Sequence, residues 1–128
     1  MHDLVLPYAD WALLALRLML AAIFGSSGWS HLKDPEGRSK SIEMSKPFTI
    51  FLGAAEFAGA LGIAAGVLSG WAALGLILVM LGAIQKKAFV WKTGFWGQGS
   101  QGWHYDLAMI VMNSVVLTVG PGKFVLLR

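Results

Sequence analysis

The chain has 128 residues, enough for one domain, and 56% of them are hydrophobic while 13% are charged, against about 25% charged residues in an average soluble domain. The absence of cysteine excludes disulfides, thiolate metal sites, cysteine-bound iron–sulfur clusters and thiol redox chemistry. A net charge of +3 and a pI near 9.5 would suit nucleic-acid binding in a soluble protein, but the basic residues concentrate in two loops, as in membrane topology. We therefore expect a membrane protein that binds no nucleic acid, and any redox role must use a cofactor or a partner.

Four membrane helices are predicted, because a hydrocarbon core about 30 Å thick requires roughly 20 apolar residues per crossing. In chain order they cover about residues 9–30, 47–68, 71–91 and 103–119. The run Phe57–Gln85 contains no charged residue and is interrupted only by Ser69-Gly70, so we expect a tight turn there. Tryptophans, which prefer the headgroup level, lie at the predicted helix ends; they are Trp11, Trp29, Trp71, Trp91 and Trp103. The predicted fold is all-α, a single-domain integral membrane four-helix bundle with antiparallel, up-down-up-down helices.

The distribution of basic residues predicts the orientation of the chain. Two long loops carry Lys33, Arg38, Lys40, Lys46, Lys86, Lys87 and Lys92, and the C-terminal tail carries Lys123 and Arg128. By the positive-inside rule both long loops are cytoplasmic and both termini lie outside, in a bacterial plasma membrane. A cleaved signal peptide is not expected, because the N-terminus has no basic region and its apolar stretch is long and contains Arg17. A soluble helical bundle is the alternative, because the uninterrupted apolar stretches 71–84 and 107–119 are shorter than a full span.

Two ionisable residues fall inside predicted membrane helices, Arg17 and Glu56. Each costs at least about 2.5 kcal/mol on insertion scales, so each requires a partner or a purpose. In an antiparallel pair of helices their depths differ by only a few ångströms, which predicts a buried ion pair that fixes helix packing. In the functional alternative, Glu56 accepts a proton near a bound quinone or another small polar ligand.

A second polar cluster is expected at the cytoplasmic helix ends. It contains His31 and Lys33 after the first helix, Gln85, Lys86 and Lys87 late in the third, and His104, Tyr105 and Asp106 at the start of the fourth. An ordinary membrane–water interface explains much of this cluster, since Asp106 suits a helix N-terminus, and Lys86 and Lys87 can extend to headgroups. The functional alternative is that the histidines, the phenol and the carboxylate hold a quinone carbonyl and deliver protons to it.

Other cofactor chemistry finds little support in the sequence. His31 and His104 could ligate a haem from opposite helix ends, but without a spacing motif we do not expect haem. We expect no metal site either, because the chain has no His-Glu-x-x-His motif and no carboxylate pair on one helix. Small residues, including Gly62-x-x-x-Gly66 on the second helix and Gly25 and Gly28 on the first, predict close helix packing.

Several motifs together resemble the DoxX family of small four-helix bacterial membrane proteins. They are Leu16-Arg17-Leu18 in the first helix with its ending Gly28-Trp29-Ser30-His31-Leu32-Lys33, Gly53-Ala54-Ala55-Glu56-Phe57-Ala58-Gly59 in the second, Tyr105-Asp106 opening the fourth, and Gly120-Pro121-Gly122-Lys123-Phe124. The resemblance implies that Arg17, Glu56, Tyr105 and Asp106 match recurrent polar positions, with His31 at a recurrent helix end. It does not extend to His104.

The same resemblance implies a setting in redox chemistry. The wider DoxX and DoxD group includes the small membrane subunit of thiosulfate:quinone oxidoreductase, and other members are linked to oxidative stress, quinone or catechol tolerance, or maturation of redox enzymes. We therefore expect an accessory or anchoring subunit of a membrane redox complex, without intrinsic catalysis or a cofactor of its own, that contacts quinone. Its partners would be the lipid bilayer and further protein subunits, for which the charged loop 34–46 offers a docking surface.

Two alternatives stay open. In one, the chain is a quinone-linked oxidoreductase component in its own right, with quinone bound among Arg17, Glu56, His31, His104 and Asp106. In the other, it is a purely structural or assembly subunit of a larger membrane complex.

Overall fold

The computed structural model describes residues 1–41, 43–97 and 102–125. The helices are α1 (His2–Val5), α2 (Ala9–Lys33), α3 (Pro35–Ser41), α4 (Lys46–Ala65), α5 (Ser69–Gln85) and α6 (His104–Val119), with a 3-10 turn at Leu6–Tyr8 and a π-helical turn at Lys86–Val90. These residues include no β-strand, which confirms the all-α prediction. The four predicted membrane helices correspond to α2, α4, α5 with its π-helical turn, and α6.

The turn between the second and third helices lies three residues earlier than predicted. Helix α4 ends at Ala65 and is followed by the C-cap residue Gly66, whose φ of 77° is left-handed and whose N–H donates to the carbonyl of Gly62. Glycine adopts this conformation without steric cost and so terminates the helix. Ser69 and Gly70 are the first residues of α5, so the prediction that this pair forms the turn is wrong.

Three stretches are long and apolar enough to cross a membrane, Asp3–Lys33, Lys46–Ala65 and Ser69–Val90. The fourth, α6, is apolar but has 16 residues, and at 1.5 Å per residue it is about 24 Å long. It therefore falls short of the full thickness of a hydrocarbon core, about 30 Å.

The distribution of side chains is reversed relative to a water-soluble bundle. Large apolar side chains such as Leu61 and Leu78 are more than half exposed along the helices. Charged and polar residues lie inside, and the buried ones are Arg17, His31, Ser39, Thr49, Glu56, Ser69, Asp106 and Asn113. Such a surface suits lipid rather than water, because extended apolar patches in water cause aggregation, and the soluble alternative loses its physical basis.

Helix α2 packs closely against α4 along small residues. A Cβ atom added to Gly28 would lie 2.7 Å from the backbone nitrogen of Phe57 and 2.8 Å from the carbonyl oxygen of Gly53. A Cβ added to Gly53 would in turn lie 2.7 Å from the Cβ of His31. The absence of side chains at the two glycines thus allows the backbones to approach, as expected for close packing of membrane helices.

The connection between α2 and α4 folds back as the short helix α3. Asp34 begins it, because its Oδ1 accepts a hydrogen bond of 3.1 Å from the backbone N–H of Gly37. Ser45 then caps α4, where its Oγ accepts from the N–H of Phe48. This path places the side chain of Arg38 against the bundle.

Candidate ligand site

A cavity of about 400 Å³ lies within one end of the bundle. Side chains from α2, α3, α4, α5 and α6 line it, together with the π-helical turn. Four of the six residues predicted for a site are among them: His31, Glu56, Tyr105 and Asp106. The other polar residues of its wall are Ser27, Arg38, Lys86 and Lys87. We call this region the cavity end.

Glu56 is a buried charged residue of the cavity end. It lies in the middle of α4, and its side chain is 3% exposed. Its Oε2 atom has no hydrogen-bond partner among the described residues. Because a buried carboxyl oxygen without a partner is costly, a hydrogen-bonding group bound in the cavity would stabilise this atom.

Asp106 has a partner, the side chain of Lys87. Their Nζ and Oδ2 atoms are 2.9 Å apart, and the two side chains are 14% and 3% exposed. Asp106 lies in the first turn of α6, where a carboxylate is also favoured by the helix dipole. The π-helical turn carries Lys87, whose Nζ also lies 5.6 Å from the ring centre of Tyr105. The expectation that Lys87 extends to the headgroups is wrong, because its ammonium pairs with a buried carboxylate instead.

His31 is held in a defined orientation on the cavity wall. Its side chain is 3% exposed, and its Nδ1 lies 2.7 Å from the carbonyl oxygen of Ser27. A carbonyl can only accept, so Nδ1 carries the hydrogen of this bond, and Nε2 of the neutral ring is left as an acceptor. The ring can therefore accept a hydrogen bond from a group bound in the cavity.

His104 does not line the cavity, although Tyr105 and Asp106 beside it do. Its Nδ1 lies 2.7 Å from the carbonyl oxygen of Phe95. Its ring packs on those of Phe95 and Trp96, with ring centres 5.7 and 5.1 Å apart. His104 thus holds Phe95 and Trp96 against the start of α6, and the structure does not bring it together with His31.

Arg17 also lies outside the cavity, and the predicted ion pair with Glu56 is wrong. Arg17 is fully buried and donates to four backbone carbonyls: Ile63 (2.9 Å), Ala64 (2.9 Å), Pro121 (3.0 Å) and Phe124 (2.6 Å). Ile63 is seven residues beyond Glu56, or about 10 Å along the helix. We call Arg17 with these four carbonyls the clamp end; it ties the last turn of α4 and the C-terminal segment to α2.

The sequence placed Lys86 and Lys87 in the predicted polar cluster, but it did not indicate Arg38, the third basic residue of the cavity. Arg38 comes from α3 within a charged loop, and nothing in the sequence marks that residue for the bundle interior. Lys86 donates a 3.2 Å hydrogen bond to the backbone carbonyl of Glu43, and Trp91 donates a 2.7 Å bond from Nε1 to the Glu43 carboxylate. The helical period agrees with the inward position of Lys87, because it follows the buried Met80 by seven residues. Among the described residues, no three His, Asp or Glu side chains are grouped to hold a metal ion.

Comparison with known proteins identifies the chain. The DoxX family model matches residues 12–92, more than half of the 128 residues. The match includes Arg17, His31, Arg38, Glu56 and Lys87, and it ends before α6. No curated protein and no solved structure matches significantly. With three helices able to cross a membrane, the chain is a membrane protein, and it belongs to the DoxX family.

Proposed function

We propose that this protein is an accessory subunit of a membrane redox complex and binds the headgroup of a quinone at the cavity end. The observation that carries the proposal is the unpartnered, buried Oε2 of Glu56 in a cavity of about 400 Å³. This volume lies within the range of small-molecule sites, roughly 300–1,000 Å³.

The composition of the wall supports an amphipathic ligand. The lining includes Phe48, Phe51 and Leu78, whose side chains are 44%, 67% and 60% exposed on the outer surface of α4 and α5. In a bilayer this surface faces acyl chains, so an apolar tail could lie along it while a polar ring enters between the two helices.

The polar groups suit the oxygen atoms of a quinone. The hydroxyl of Tyr105 and the ammonium of Lys87 can donate to a carbonyl oxygen, and Nε2 of His31 can accept from a hydroxyl. Bound quinone would supply the two-electron chemistry, while these residues bind and orient its oxygens. Since the chain has no cysteine, electrons would come from cofactors of a partner subunit.

The proposed topology has four crossings, up-down-up-down, in a bacterial plasma membrane. Contacts between α2 and α4 support antiparallel packing, since the later residue Gly28 meets Gly53 while the earlier Arg17 meets Ile63. The basic residues of both long loops favour a cytoplasmic location for them, with both termini outside. The cavity end would then lie toward the cytoplasm, where a partner could dock on loop 34–46.

A pair of matched glycine variants tests the quinone site. A Cβ at Gly82 or at Gly75 meets no atom within 4 Å, and only Gly82 lines the cavity. In lipid nanodiscs, we expect decylubiquinone to quench the fluorescence of Trp91 on the cavity wall in a saturable manner. Gly82→Leu should weaken this binding at least tenfold, whereas Gly75→Leu should leave it unchanged. Absence of saturable binding, or equal effects of the two variants, would contradict the site.

The accessory role requires a separate test. Native mass spectrometry of the protein isolated from its own membranes should reveal a stoichiometric second chain that carries a redox cofactor. Isolation of this chain alone would contradict the accessory role. Saturable quinone binding by the isolated chain would then favour a quinone-linked component in its own right. Absence of both a cofactor-bearing second chain and quinone binding would favour a structural subunit.

A further inference from the structure

Two unpartnered polar atoms of opposite character line the same cavity. Nε of Arg38 and Oε2 of Glu56 are both buried, and neither has a hydrogen-bond partner among the described residues. The described part of the chain contains a single ion pair, Lys87 with Asp106. The guanidinium of Arg38 and the carboxyl of Glu56 therefore do not pair, although they face one cavity.

Several other polar side chains of the wall contact partners within the protein. Lys87 pairs with Asp106, His31 bonds to the carbonyl of Ser27, and Lys86 donates to the carbonyl of Glu43. A buried donor or acceptor that lacks a partner loses its hydration without compensation. Asp106 Oδ2 also lacks a hydrogen bond but lies in the ion pair with Lys87, whereas Arg38 and Glu56 each bring to the cavity a buried polar atom that has neither.

We propose that Arg38 is a ligand-binding residue, and that Arg38 and Glu56 hold two oxygen atoms of one ligand. The inference rests on the proposed function and adds Arg38 and the mode of binding to it. The ligand class is a flat ring with oxygens at opposite edges, as in a para-quinone. Arg38 on α3 donates to one oxygen, and the protonated carboxyl of Glu56 on α4 donates to the other oxygen of a quinone, whereas its carboxylate would accept from the hydroxyl of a quinol.

This arrangement predicts opposite effects on ligand binding and on the stability of the free protein. Replacement of Arg38 removes a half-buried side chain whose buried Nε lacks a hydrogen-bond partner in the free protein, so the stability of the free protein should stay equal or rise. The same replacement removes a charge-assisted hydrogen bond in the complex. A residue with a structural role would instead lower the stability when replaced.

The experiment compares Arg38→Gln with Lys40→Gln in the full-length protein in lipid nanodiscs. Lys40 lies on the same short helix, is exposed and does not line the cavity, so it controls for loss of one positive charge. We expect decylubiquinone to bind Arg38→Gln at least tenfold more weakly than wild type, a difference of about 1.4 kcal/mol. Lys40→Gln should bind within twofold of wild type, and the melting temperature of ligand-free Arg38→Gln should not fall.

The outcomes separate this inference from the proposed function. Unchanged binding by Arg38→Gln, beside saturable binding by the wild type, would overturn the role of Arg38 and leave the quinone site standing. A fall in the melting temperature of ligand-free Arg38→Gln would assign Arg38 a structural role. Failure of the wild type to bind decylubiquinone would overturn both proposals.

Discussion

The clamp end and the cavity end treat buried charge in opposite ways. At the clamp end, Arg17 is fully buried, and its guanidinium donates to four backbone carbonyls. At the cavity end, Arg38 and Glu56 each keep a buried polar atom without a partner among the described residues, beside a space of about 400 Å³. The satisfied charge stabilises the fold, whereas the unpartnered atoms beside the cavity are the basis of the proposed ligand site.

The backbone carbonyls around Arg17 explain why its charge needs no carboxylate partner. The carbonyls of Ile63 and Ala64 belong to the last turn of α4 and lack intrahelical donors. They also lie at the negative end of the helix dipole, which favours a cation. The C-terminal segment adds two more carbonyls, and its position is fixed further by a 2.9 Å hydrogen bond from the N–H of Lys123 to Asp10.

The largest predicted effect is the loss of the clamp. Arg17→Leu would leave four carbonyls without their donor, at about 1–3 kcal/mol for each buried acceptor. We expect a loss of about 5 kcal/mol or more in unfolding free energy, measured by circular dichroism in a mild detergent. Arg17→Lys keeps the charge but has fewer and differently placed donors, so its stability should lie between those of wild type and Arg17→Leu. A stability of Arg17→Leu equal to wild type would contradict a structural role for the clamp.

The next effect concerns the satisfied pair within the cavity end. Asp106→Asn leaves the ammonium of Lys87 without its carboxylate, and breaking a buried pair costs about 3–5 kcal/mol. We expect the lower end of that range, because the Lys87 side chain retains 14% exposure. Thermal unfolding in detergent measures it, and the double change Lys87→Met with Asp106→Leu should cost less than Asp106→Asn alone. A larger loss in the double variant would show that the broken ion pair is not the cause of the stability loss in Asp106→Asn.

Much of the fold followed from the sequence, because membrane helices depend on local properties. Length and hydropathy of the apolar runs located all four long helices, since each satisfies its backbone hydrogen bonds internally. The exact ends of the helices could not be predicted from length and hydropathy alone. Both Gly66 and Gly70 could terminate α4, and the choice depended on which one adopts a positive φ, which is Gly66.

The candidate site was predictable only where the polar residues lie on helices. Glu56 and Asp106 stand out because a charge within an apolar helix requires an explanation. Arg38 does not, because charges are ordinary in loops. Depth along a helix also says nothing about direction around it, so equal depth did not ensure that Arg17 meets Glu56. The acceptors of Arg17 came partly from a C-terminal segment that folds back across the bundle, a long-range contact that no local pattern reveals.

A smaller effect is expected where α2 and α4 cross, between the two ends. Gly28→Ala would place its Cβ 2.7 Å from the backbone nitrogen of Phe57, so the helices must separate. Overpacking of this kind typically costs about 1–3 kcal/mol. Gly75→Ala is the control, since its Cβ would meet nothing within 4 Å, and it should be neutral or slightly stabilising. Thermal unfolding of both variants in one detergent measures the difference, and equal melting temperatures would contradict the close crossing.

The smallest expected effect is the coupling free energy between substitutions of Arg17 and Glu56, which tests whether the two ends are independent. If Arg17 and Glu56 formed an ion pair, Arg17→Leu and Glu56→Leu would couple strongly, because each single change would leave a lone buried charge. Since Arg17 instead bonds to carbonyls about 10 Å along α4 from Glu56, the two changes should add to within about 0.3–0.5 kcal/mol. A double-mutant cycle of unfolding free energies in detergent measures this coupling. A coupling above 1 kcal/mol would mean that the two charges share one network, and the unpartnered state of Glu56 could then no longer be taken as the mark of a ligand site.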